Sequence, residues 1–229
     1  MCDLADADVA TEETALKVEA LTLIGGVDIS FIKGNDTLAC ACLVVLSYPS
    51  LQTVYAECTM VHISEPYIAG FLAFREVSHL VDMVNVLKTT RPDLVPQVIM
   101  VDGNGLLHHQ GFGLASHLSV LISIPTVGVG KTLLMVDGLS KDVITLAERI
   151  PLGGGGEMLE LRGNSGTLWG MGVCMNAKVT SPIYVSVGSG ISLLSAVALV
   201  RRCGQFRVPE PVRQADLRSR HYLRMNGYA

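Results

Sequence analysis

The sequence is poor in charged and aromatic residues, which make up 17% and 5% of its 229 residues, whereas 49% are hydrophobic. Low charge combined with high hydrophobicity excludes intrinsic disorder, which needs the opposite balance. No run approaches about eighteen consecutive apolar residues, so we expect no membrane-spanning helix and no membrane partner. The early residues Asp3, Asp6 and Asp8 are unlike the basic start of a secretory signal, so we expect an intracellular protein.

Cysteine pairs of the kind that bind zinc are absent, because none of the six cysteines belongs to a Cys-x-x-Cys motif. The cysteines are scattered along the chain, and we expect them to be reduced thiols of an intracellular protein. Cys40 and Cys42 are separated by one residue within a β-rich run. They are therefore predicted to share one face of a strand as small apolar side chains.

Positive charge is scarce except near the C-terminus. Residues 201–229 hold seven arginines against Glu210 and Asp216, whereas the whole chain carries a net charge of −4. Such a basic segment is either a solvated helix or a surface that lies beside a polyanion. Charge alone favours the solvated helix.

The order of β-rich and helical patterns predicts an α/β fold. Three runs separated by turn residues predict antiparallel strands at 23–33, 37–48 and 53–62. Further strands are predicted at 97–101, 125–129, 158–162, 167–175 and 183–187. Helices are predicted at 64–88, 112–122, 192–203 and 210–224. We expect one mixed sheet, with three antiparallel strands followed by parallel ones and helices on its faces, in a single domain over 23–229. A short acidic segment, 1–22, precedes it.

Three acidic residues occupy positions where a structural role is hard to supply. Asp28 lies inside a predicted strand, where aspartate is rare, and Asp102 directly follows the apolar run 98–101. Glu76 lies on the apolar stripe of the first helix, four residues after Leu72. A carboxylate facing the core must be paired, protonated or bound to a cation. An oxygen-only cluster suits Mg²⁺ or Mn²⁺, and a pair of such ions serves phosphodiester hydrolysis.

Each candidate also has an ordinary structural interpretation. Glu76 would form a buried salt bridge with an arginine, Asp102 would hold a turn or cap a helix, and Asp28 would mark a hydrogen-bonded strand irregularity. Lys131 follows a buried strand and either reaches a phosphate or is solvated. The residues before it fail the P-loop pattern, which argues against binding of a nucleoside triphosphate. His108 is either a loop residue or a phosphate contact.

A series of motifs in a fixed order makes these residues more specific. The motifs are Gly25-Gly26-Val27-Asp28, Pro66-Tyr67-Ile68-Ala69-Gly70-Phe71-Leu72-Ala73-Phe74-Arg75-Glu76, Val101-Asp102-Gly103-Asn104-Gly105, Gly111-Phe112-Gly113-Leu114-Ala115-Ser116-His117, Val127-Gly128-Val129-Gly130-Lys131 and Pro209-Glu210-Pro211-Val212-Arg213-Gln214-Ala215-Asp216. From about Leu23 to Arg220, the chain closely resembles the endonuclease V family in its animal form.

The resemblance implies an RNase H-like fold and a nuclease that uses a divalent metal, Mg²⁺ with Mn²⁺ as a substitute. The implied reaction is cleavage at the second phosphodiester on the 3′ side of inosine, which leaves a 3′-hydroxyl and a 5′-phosphate. The animal branch implies inosine-containing single-stranded RNA as the preferred partner, with deoxyinosine DNA as the alternative. We further expect a monomer, located in the cytoplasm, the nucleolus or both.

The resemblance also assigns roles to individual residues. Metal-binding and catalytic roles are implied for four carboxylates: Asp28, Glu76, Asp102 and Asp216. Lys131 matches a lysine at the scissile phosphate or hydroxide, and His108 matches a histidine near that phosphate. Tyr67 matches the aromatic residue of the wedge loop, where stacking beside the gap left by an extruded base makes physical sense. Lining of a hypoxanthine pocket by the backbone is implied for Gly70, Leu72, Gly103 and Gly105.

The chain departs from the family pattern at several places, among them the short acidic region before Leu23 and the segment after the last predicted strand. It reads Gly188-Ser189-Gly190 where the family commonly has Gly-His-Arg, so a basic contact is missing. Ser189 and the short region before Leu23 keep open a second hypothesis, an inosine-RNA binding module with little catalysis. A third hypothesis is a DNA repair nuclease acting on deoxyinosine. All four carboxylates are present, so we expect an active enzyme.

Overall fold

The computed structural model describes residues 20–64, 72–142, 149–152, 156–176 and 181–228. Most of the predicted acidic segment, residues 1–19, lies outside the described residues. Tyr67 and Gly70 lie outside them as well, and for Leu72 only the backbone is described. None of the described helices is both long enough and apolar enough to cross a membrane.

The strands of the described residues form one mixed sheet. In chain order they are β1 (Leu23–Phe31), β2 (Leu38–Ser47), β3 (Thr53–His62), β4 (Val98–Asp102), β5 (Thr126–Gly130), β6 (Ile150–Leu152), β7 (Gly156–Arg162), β8 (Leu168–Cys174) and β9 (Ile183–Ser189). Their order across the sheet is β3-β2-β1-β4-β5-β9-β8-β7-β6. The strands β1, β4 and β5 are parallel to one another, and the remaining pairs are antiparallel. The predicted mixed sheet is therefore confirmed. The short β6 was not predicted, because three residues including a proline show no alternation.

Four helices of the described residues cover the two faces of the sheet: α1 (Leu72–Thr90), α2 (Leu114–Ile122), α3 (Leu193–Arg202) and α4 (Glu210–Met225). The apolar stripe of α1 packs on one face together with α2, where Val27, Leu43 and Ile99 are buried. The other face buries Ile24 and Met100 against residues of α3 and α4. Because side chains alternate along a strand, Asp28 lies on the α4 face, opposite to its neighbour Val27.

The C-terminal helix α4 approaches β1 closely, and Gly26 makes this possible. A Cβ atom built on Gly26 would lie 2.1 Å from the carbonyl oxygen of Pro211, in the first turn of α4. Any side chain at position 26 would therefore push the helix away from the strand. The contact places the following turns of α4 over Asp28 and Ser30, which lie on the same face of β1.

Candidate metal centre

Three aspartates from distant parts of the chain converge at one end of the parallel strands. In β1 and β4, Val27 lies beside Val101, so the next residues, Asp28 and Asp102, are neighbours. Asp216 approaches them from α4. One carboxylate oxygen from each aspartate lies within 4.8 Å of the other two. The fold therefore brings together three of the four carboxylates proposed from the sequence.

The Asp28 carboxylate is buried and is held by two hydroxyl groups. It is 6% exposed, and Ser30 Oγ and Ser219 Oγ donate hydrogen bonds to its Oδ2 at 3.1 and 3.0 Å. Burial, a hydrogen bond with Asp102 and repulsion by that carboxylate raise the pKa of Asp28 to about 8. The aspartate therefore retains a proton near neutral pH unless a cation compensates its charge.

Lys131 supplies the positive charge of the cluster. Its Nζ donates to Asp102 Oδ2 at 2.5 Å and to Asp216 Oδ1 at 3.0 Å. Burial disfavours the charged ammonium, but the two carboxylates outweigh this effect and raise the pKa of Lys131. Arg207 Nη2 donates to the carbonyl oxygen of Lys131 at 2.7 Å, and Arg220 Nη2 donates to Asp216 Oδ1 at 2.8 Å. Two arginines of the basic segment thus hold the site: Arg207 binds the backbone of Lys131, and Arg220 binds the carboxylate of Asp216.

Glu76 does not belong to the group of aspartates whose oxygens lie within 4.8 Å of one another. It is 6% exposed and lies on α1, the helix that covers the face of the sheet opposite to α4. Burial raises the pKa of Glu76 to about 7, the charge of Arg75 opposes this shift, and Asp102 adds to it. Among the described residues, no hydrogen bond or ion pair reaches its carboxylate. The arginine salt bridge considered above is therefore not formed there, and Arg75 Nη2 donates instead to the carbonyl oxygen of Asp36 at 2.7 Å.

The loop after β4 carries the other candidates, which stay outside the aspartate group. The Nδ1 atom of His108 accepts a hydrogen bond from the backbone N–H of Gln110 at 3.3 Å, and burial lowers its pKa. The backbone N–H of Gly103 donates to Val129 O at 3.3 Å. These contacts hold the loop along the end of β5.

Gly105 is fixed by very close backbone packing. A Cβ atom at this position would lie 2.1 Å from the carbonyl oxygen of Val187. Its N–H donates to Ser186 Oγ at 2.9 Å, and its carbonyl accepts from Gly113 N at 2.9 Å. Because both polar groups have protein partners, Gly105 can shape a pocket by close approach but offers no free backbone group.

The donor set of the cluster fits a divalent cation. Three carboxylate oxygens, one from a buried and two from partly exposed aspartates, converge within 4.8 Å of one another. The raised pKa of Asp28 shows that negative charge is unfavourable at this point without compensation. Oxygen ligands of this kind suit hard cations such as Mg²⁺ or Mn²⁺. The three aspartates can therefore hold a metal ion.

Several residues that shape the centre were missed by the sequence analysis. Ser30 and Ser219 hold Asp28, Arg220 holds Asp216, and Arg207 holds the Lys131 segment. Two of them carry a local signal, because Ser30 follows Asp28 by two residues on one strand face and Arg220 follows Asp216 by one helical turn. The other two reach the site only through tertiary packing, for which the sequence pattern has no signal.

The buried carboxyl groups predict a loss of stability with rising pH when divalent cations are removed. The pKa of Asp28 is about 8 in the folded protein against an ordinary 3.8, so the folded state retains a proton that the unfolded state has lost. This stabilisation is complete below the ordinary pKa and disappears as pH rises through the folded pKa. In the presence of a chelator, we expect the melting temperature to decrease as the pH rises from about 5 to about 8.

The variant Asp28→Asn isolates this effect, because its amide does not titrate whereas all other groups remain. We expect the variant to show a smaller decrease in melting temperature over the same pH range, measured by differential scanning fluorimetry. Identical pH profiles for the variant and the unchanged protein would contradict the assignment.

Comparisons with known proteins place the chain among relatives of one kind. The Endonuclease V family model matches residues 5–217. Mouse Endonuclease V is 50% identical over 219 residues, which are 96% of this chain and 65% of the mouse protein. The chain thus spans slightly less than two thirds of that relative. Human Endonuclease V is 50% identical over 204 residues, 89% of this chain and 72% of the human protein.

Solved structures agree with these sequence matches. The crystal structure of human ENDOV superimposes with a TM-score of 0.84 at 49% identity and covers 90% of this chain and 86% of its own. Endonuclease V of Ciona intestinalis, solved with a 24mer DNA containing an inosine followed by a ribo-adenosine, gives a TM-score of 0.81 at 35% identity, over 91% and 88% of the two chains. The predicted RNase H-like fold is confirmed. Because the family model and relatives that share half of its residues match along most of its length, the chain belongs to the Endonuclease V family.

Proposed function

We propose that the chain is a metal-dependent endoribonuclease that hydrolyses the second phosphodiester 3′ to inosine and leaves a 3′-hydroxyl and a 5′-phosphate. The observation that carries this proposal is the convergence of Asp28, Asp102 and Asp216 on one point beside Lys131. Converging carboxylates that can hold a divalent cation, with an ammonium beside them, are suited to phosphodiester hydrolysis.

Asp28, Asp102 and Asp216 would hold Mg²⁺, with Mn²⁺ as a substitute, and Glu76 would contribute from the other side of the strand ends. When bound, such a cation lowers the pKa of a water molecule and offsets charge on the phosphate. Ser30 and the hydroxyl of Ser219 keep the Asp28 carboxylate in one orientation. This fixed orientation reduces the reorganisation that metal binding requires.

Lys131 stabilises the charge that develops on the phosphate during hydrolysis. Its ammonium stays protonated because Asp102 and Asp216 raise its pKa. An ammonium held between two carboxylates can turn to an incoming phosphate oxygen without losing all of its partners. Arg207 limits the movement of the Lys131 backbone through its hydrogen bond. We propose that His108 contacts the phosphate from the loop after β4.

Recognition of inosine is proposed to depend on shape at the ends of β4 and α1. Hypoxanthine lacks the 2-amino group of guanine, so a tight pocket accepts it and leaves no space for that amine. The close packing of Gly105 against Val187 supports such a pocket. We propose that Gly70, Leu72 and Gly103 complete its lining and that Tyr67 stacks beside the extruded base.

The preference for RNA is proposed to arise from contacts to the 2′-hydroxyl next to the scissile bond. The Ciona intestinalis relative was solved with a strand in which a ribo-adenosine follows the inosine, and this supports a ribonucleotide at that position. The remainder of that strand is DNA, which favours a second candidate, a nuclease acting on deoxyinosine DNA.

Matched oligonucleotides test the proposal. One set carries inosine, adenosine or guanosine at the same position of a labelled single-stranded RNA. A second set consists of two DNA strands that carry deoxyinosine at that position. One is DNA throughout, and the other has a single ribonucleotide directly after the deoxyinosine. We expect cleavage of inosine RNA and of the strand with the single ribonucleotide, with cleavage of all-DNA slower by about tenfold or more. We expect no cleavage at guanosine.

The outcomes separate the three hypotheses. Faster cleavage of the all-DNA strand would favour the DNA repair nuclease. Selective binding of inosine RNA without product, even in Mn²⁺, would favour the binding module and overturn the proposed chemistry. A 5′-hydroxyl on the product, detected by kinase labelling, would contradict metal-dependent hydrolysis.

Removing the hydroxyl of Ser219 tests the support of Asp28. In Ser219→Ala we expect the Mg²⁺ concentration for half-maximal cleavage to rise roughly tenfold, because groups that orient metal ligands contribute on this scale. Ser219→Thr retains a donor and is expected to restore most of the affinity. The matched control is Ser119→Ala, which removes another buried hydroxyl, bonded to Ile124 O at 2.7 Å. An unchanged Mg²⁺ dependence in Ser219→Ala would show that the contact is only structural.

A further inference from the structure

Two cysteines face each other across the hairpin beside the aspartate cluster. Cys42 of β2 is paired in register with Asp28 on one side and with Cys58 of β3 on the other. Directly opposed residues in antiparallel strands point to the same face, so these three side chains form a row beneath α4. Cys42 is fully buried against Ala215 of α4. Cys58 lies on the edge strand and is half-buried, so small molecules can reach it.

The geometry of this pair already approaches that of a disulfide. The Sγ atoms of Cys42 and Cys58 lie 2.7 Å apart. Opposed residues in antiparallel strands have Cα atoms about 4.5–5.5 Å apart, within the range of about 4.4–6.8 Å that disulfides require. The register around the pair is regular, because its irregularity lies between Val45 and Leu46. Bond formation therefore needs no rearrangement of the backbone.

Cys40 is a less suitable partner for Cys58. It is opposed to Met60, so its relation to Cys58 is diagonal. Diagonal positions lie about 7–8 Å apart, so although the Cys40 thiol hydrogen-bonds with that of Cys58, a disulfide between them would require movement of the backbone. Cys40 and Cys42 lie on one face of β2, as predicted. Of these two thiols, that of Cys42 is placed to form a disulfide with Cys58, and that of Cys40 is not.

We propose that Cys42 and Cys58 form a modification site, a cross-strand dithiol that hydrogen peroxide converts into an intramolecular disulfide within the folded protein. The site needs neither a metal nor a nucleic acid. It differs from the unmodified thiols expected from the sequence, because the β2–β3 hairpin brings two cysteines 16 residues apart face to face.

The chemistry proceeds in two balanced steps. The Cys58 thiolate attacks one peroxide oxygen, forming a sulfenic acid and a hydroxide that takes up the thiol proton to become water. The Cys42 sulfur then attacks the Cys58 sulfur, and the departing hydroxide leaves with the Cys42 proton as a second water. Two thiols lose two electrons in total, and one peroxide molecule is reduced to two waters.

The surroundings of Cys58 favour its role as the attacking sulfur. Hydrogen bonding with the thiols of Cys40 and Cys42 lowers the pKa of Cys58 to about 4, burial opposes the shift, and the charges of Arg218 and His221 add to it. The sulfur of Cys58 is the one that peroxide can reach, and the fully buried sulfur of Cys42 is the one that resolves the sulfenic acid.

Peptide mapping of the full chain tests the proposal. Residues 34–75 contain no lysine or arginine before Arg75, so trypsin alone leaves all three cysteines in one peptide. A second cleavage after Glu57 separates Cys58 from the other two. After brief treatment with hydrogen peroxide and alkylation of free thiols, we expect these two fragments to remain linked, with a loss of about 2 Da, until dithiothreitol is added.

Single variants identify the partners. Cys40→Ser is expected to keep the linkage, whereas Cys42→Ser and Cys58→Ser are expected to lose it. In Cys42→Ser, a dimedone adduct on Cys58 would reveal the unresolved sulfenic acid. Cys203 serves as the internal control. It is fully buried in the core cluster that includes residues of α3, and it should still react with the alkylating reagent after the protein is unfolded.

Three outcomes would overturn the assignment: linkage retained in Cys42→Ser, linkage of Cys58 to Cys40 in the unchanged protein, or oxidation of Cys203 before Cys58. Circular dichroism spectra of all variants establish that the folded protein is compared in each case. Because Cys42→Ser and Cys58→Ser remove opposite ends of the same bond, misfolding of one variant leaves the other as a test.

Discussion

Asp102→Ala is expected to lower cleavage of inosine RNA in saturating Mg²⁺ on the order of a thousandfold, because it removes an oxygen ligand from a three-carboxylate site. The same substitution removes the acceptor of the shortest hydrogen bond of Lys131. Among the described residues, Asp216 is then the one ion-pair partner left to the ammonium, so both the metal and the lysine lose their position. Single-turnover cleavage of a labelled strand measures the effect without a contribution from product release.

The fold is expected to survive this substitution. Asp102 ends β4 and lies beside two other carboxylates, so its removal relieves repulsion in the absence of metal. Asp28→Ala should give a loss of similar size. Asp93→Ala is the control, because Asp93 is an exposed aspartate whose ion pair with Arg91 contributes little. Near-unchanged turnover in Asp102→Ala or Asp28→Ala, with a normal circular dichroism spectrum, would remove the proposed chemistry.

The convergence of Asp28 and Asp102 was predictable because each lies at a recognisable place in a strand. The alternating and apolar runs identify β1 and β4, and an aspartate inside or directly after such a run conflicts with local preference. Ligands gather at the carboxyl ends of strands in open α/β sheets. The pairing of β1 with β4 was not visible locally, because β2, β3 and α1 lie between these two strands in the chain.

The place of Asp216 could not be predicted from local pattern. It lies among arginines on a polar helix, where an aspartate normally forms solvated ion pairs. Its position depends on the close contact between Gly26 and Pro211, residues far apart in the chain. Only the resemblance to the family identified it. The same contact places Ser219 of α4 within hydrogen-bonding distance of Asp28. The role of Ser219 was therefore not predictable from the sequence pattern either.

The position of Glu76 relative to the aspartates could not be predicted from the pattern of its own helix. Its position on the apolar stripe of α1 correctly indicated burial. Helical periodicity does not indicate which end of the sheet the helix faces or how far its side chain extends. The separation of Glu76 from the three aspartates is therefore a tertiary property. The monomeric state, the cellular compartment and the division at residue 22 likewise stay predictions, because they depend on partners or on residues outside the described ranges.

Lys131→Ala is expected to lower the turnover number about a hundredfold or more with little change in KM, because one charged donor to a developing negative charge contributes on this scale. Lys131 also neutralises Asp102 and Asp216 when no divalent cation is present. Its removal leaves those carboxylates more available to a cation. The Mg²⁺ concentration for half-maximal activity should therefore stay constant or decrease while turnover falls.

This opposite movement distinguishes a contact with phosphate from a structural ion pair. If Lys131 only held the carboxylates in place, its loss would impair metal binding, and additional Mg²⁺ would restore turnover. If it acts on the phosphate, no concentration of Mg²⁺ restores turnover. Lys33→Ala, at an exposed turn after β1, is the matched control for the loss of one positive charge. Turnover of Lys131→Ala within about twofold of the unchanged protein would contradict a direct role, since the lost charge interaction should be worth far more.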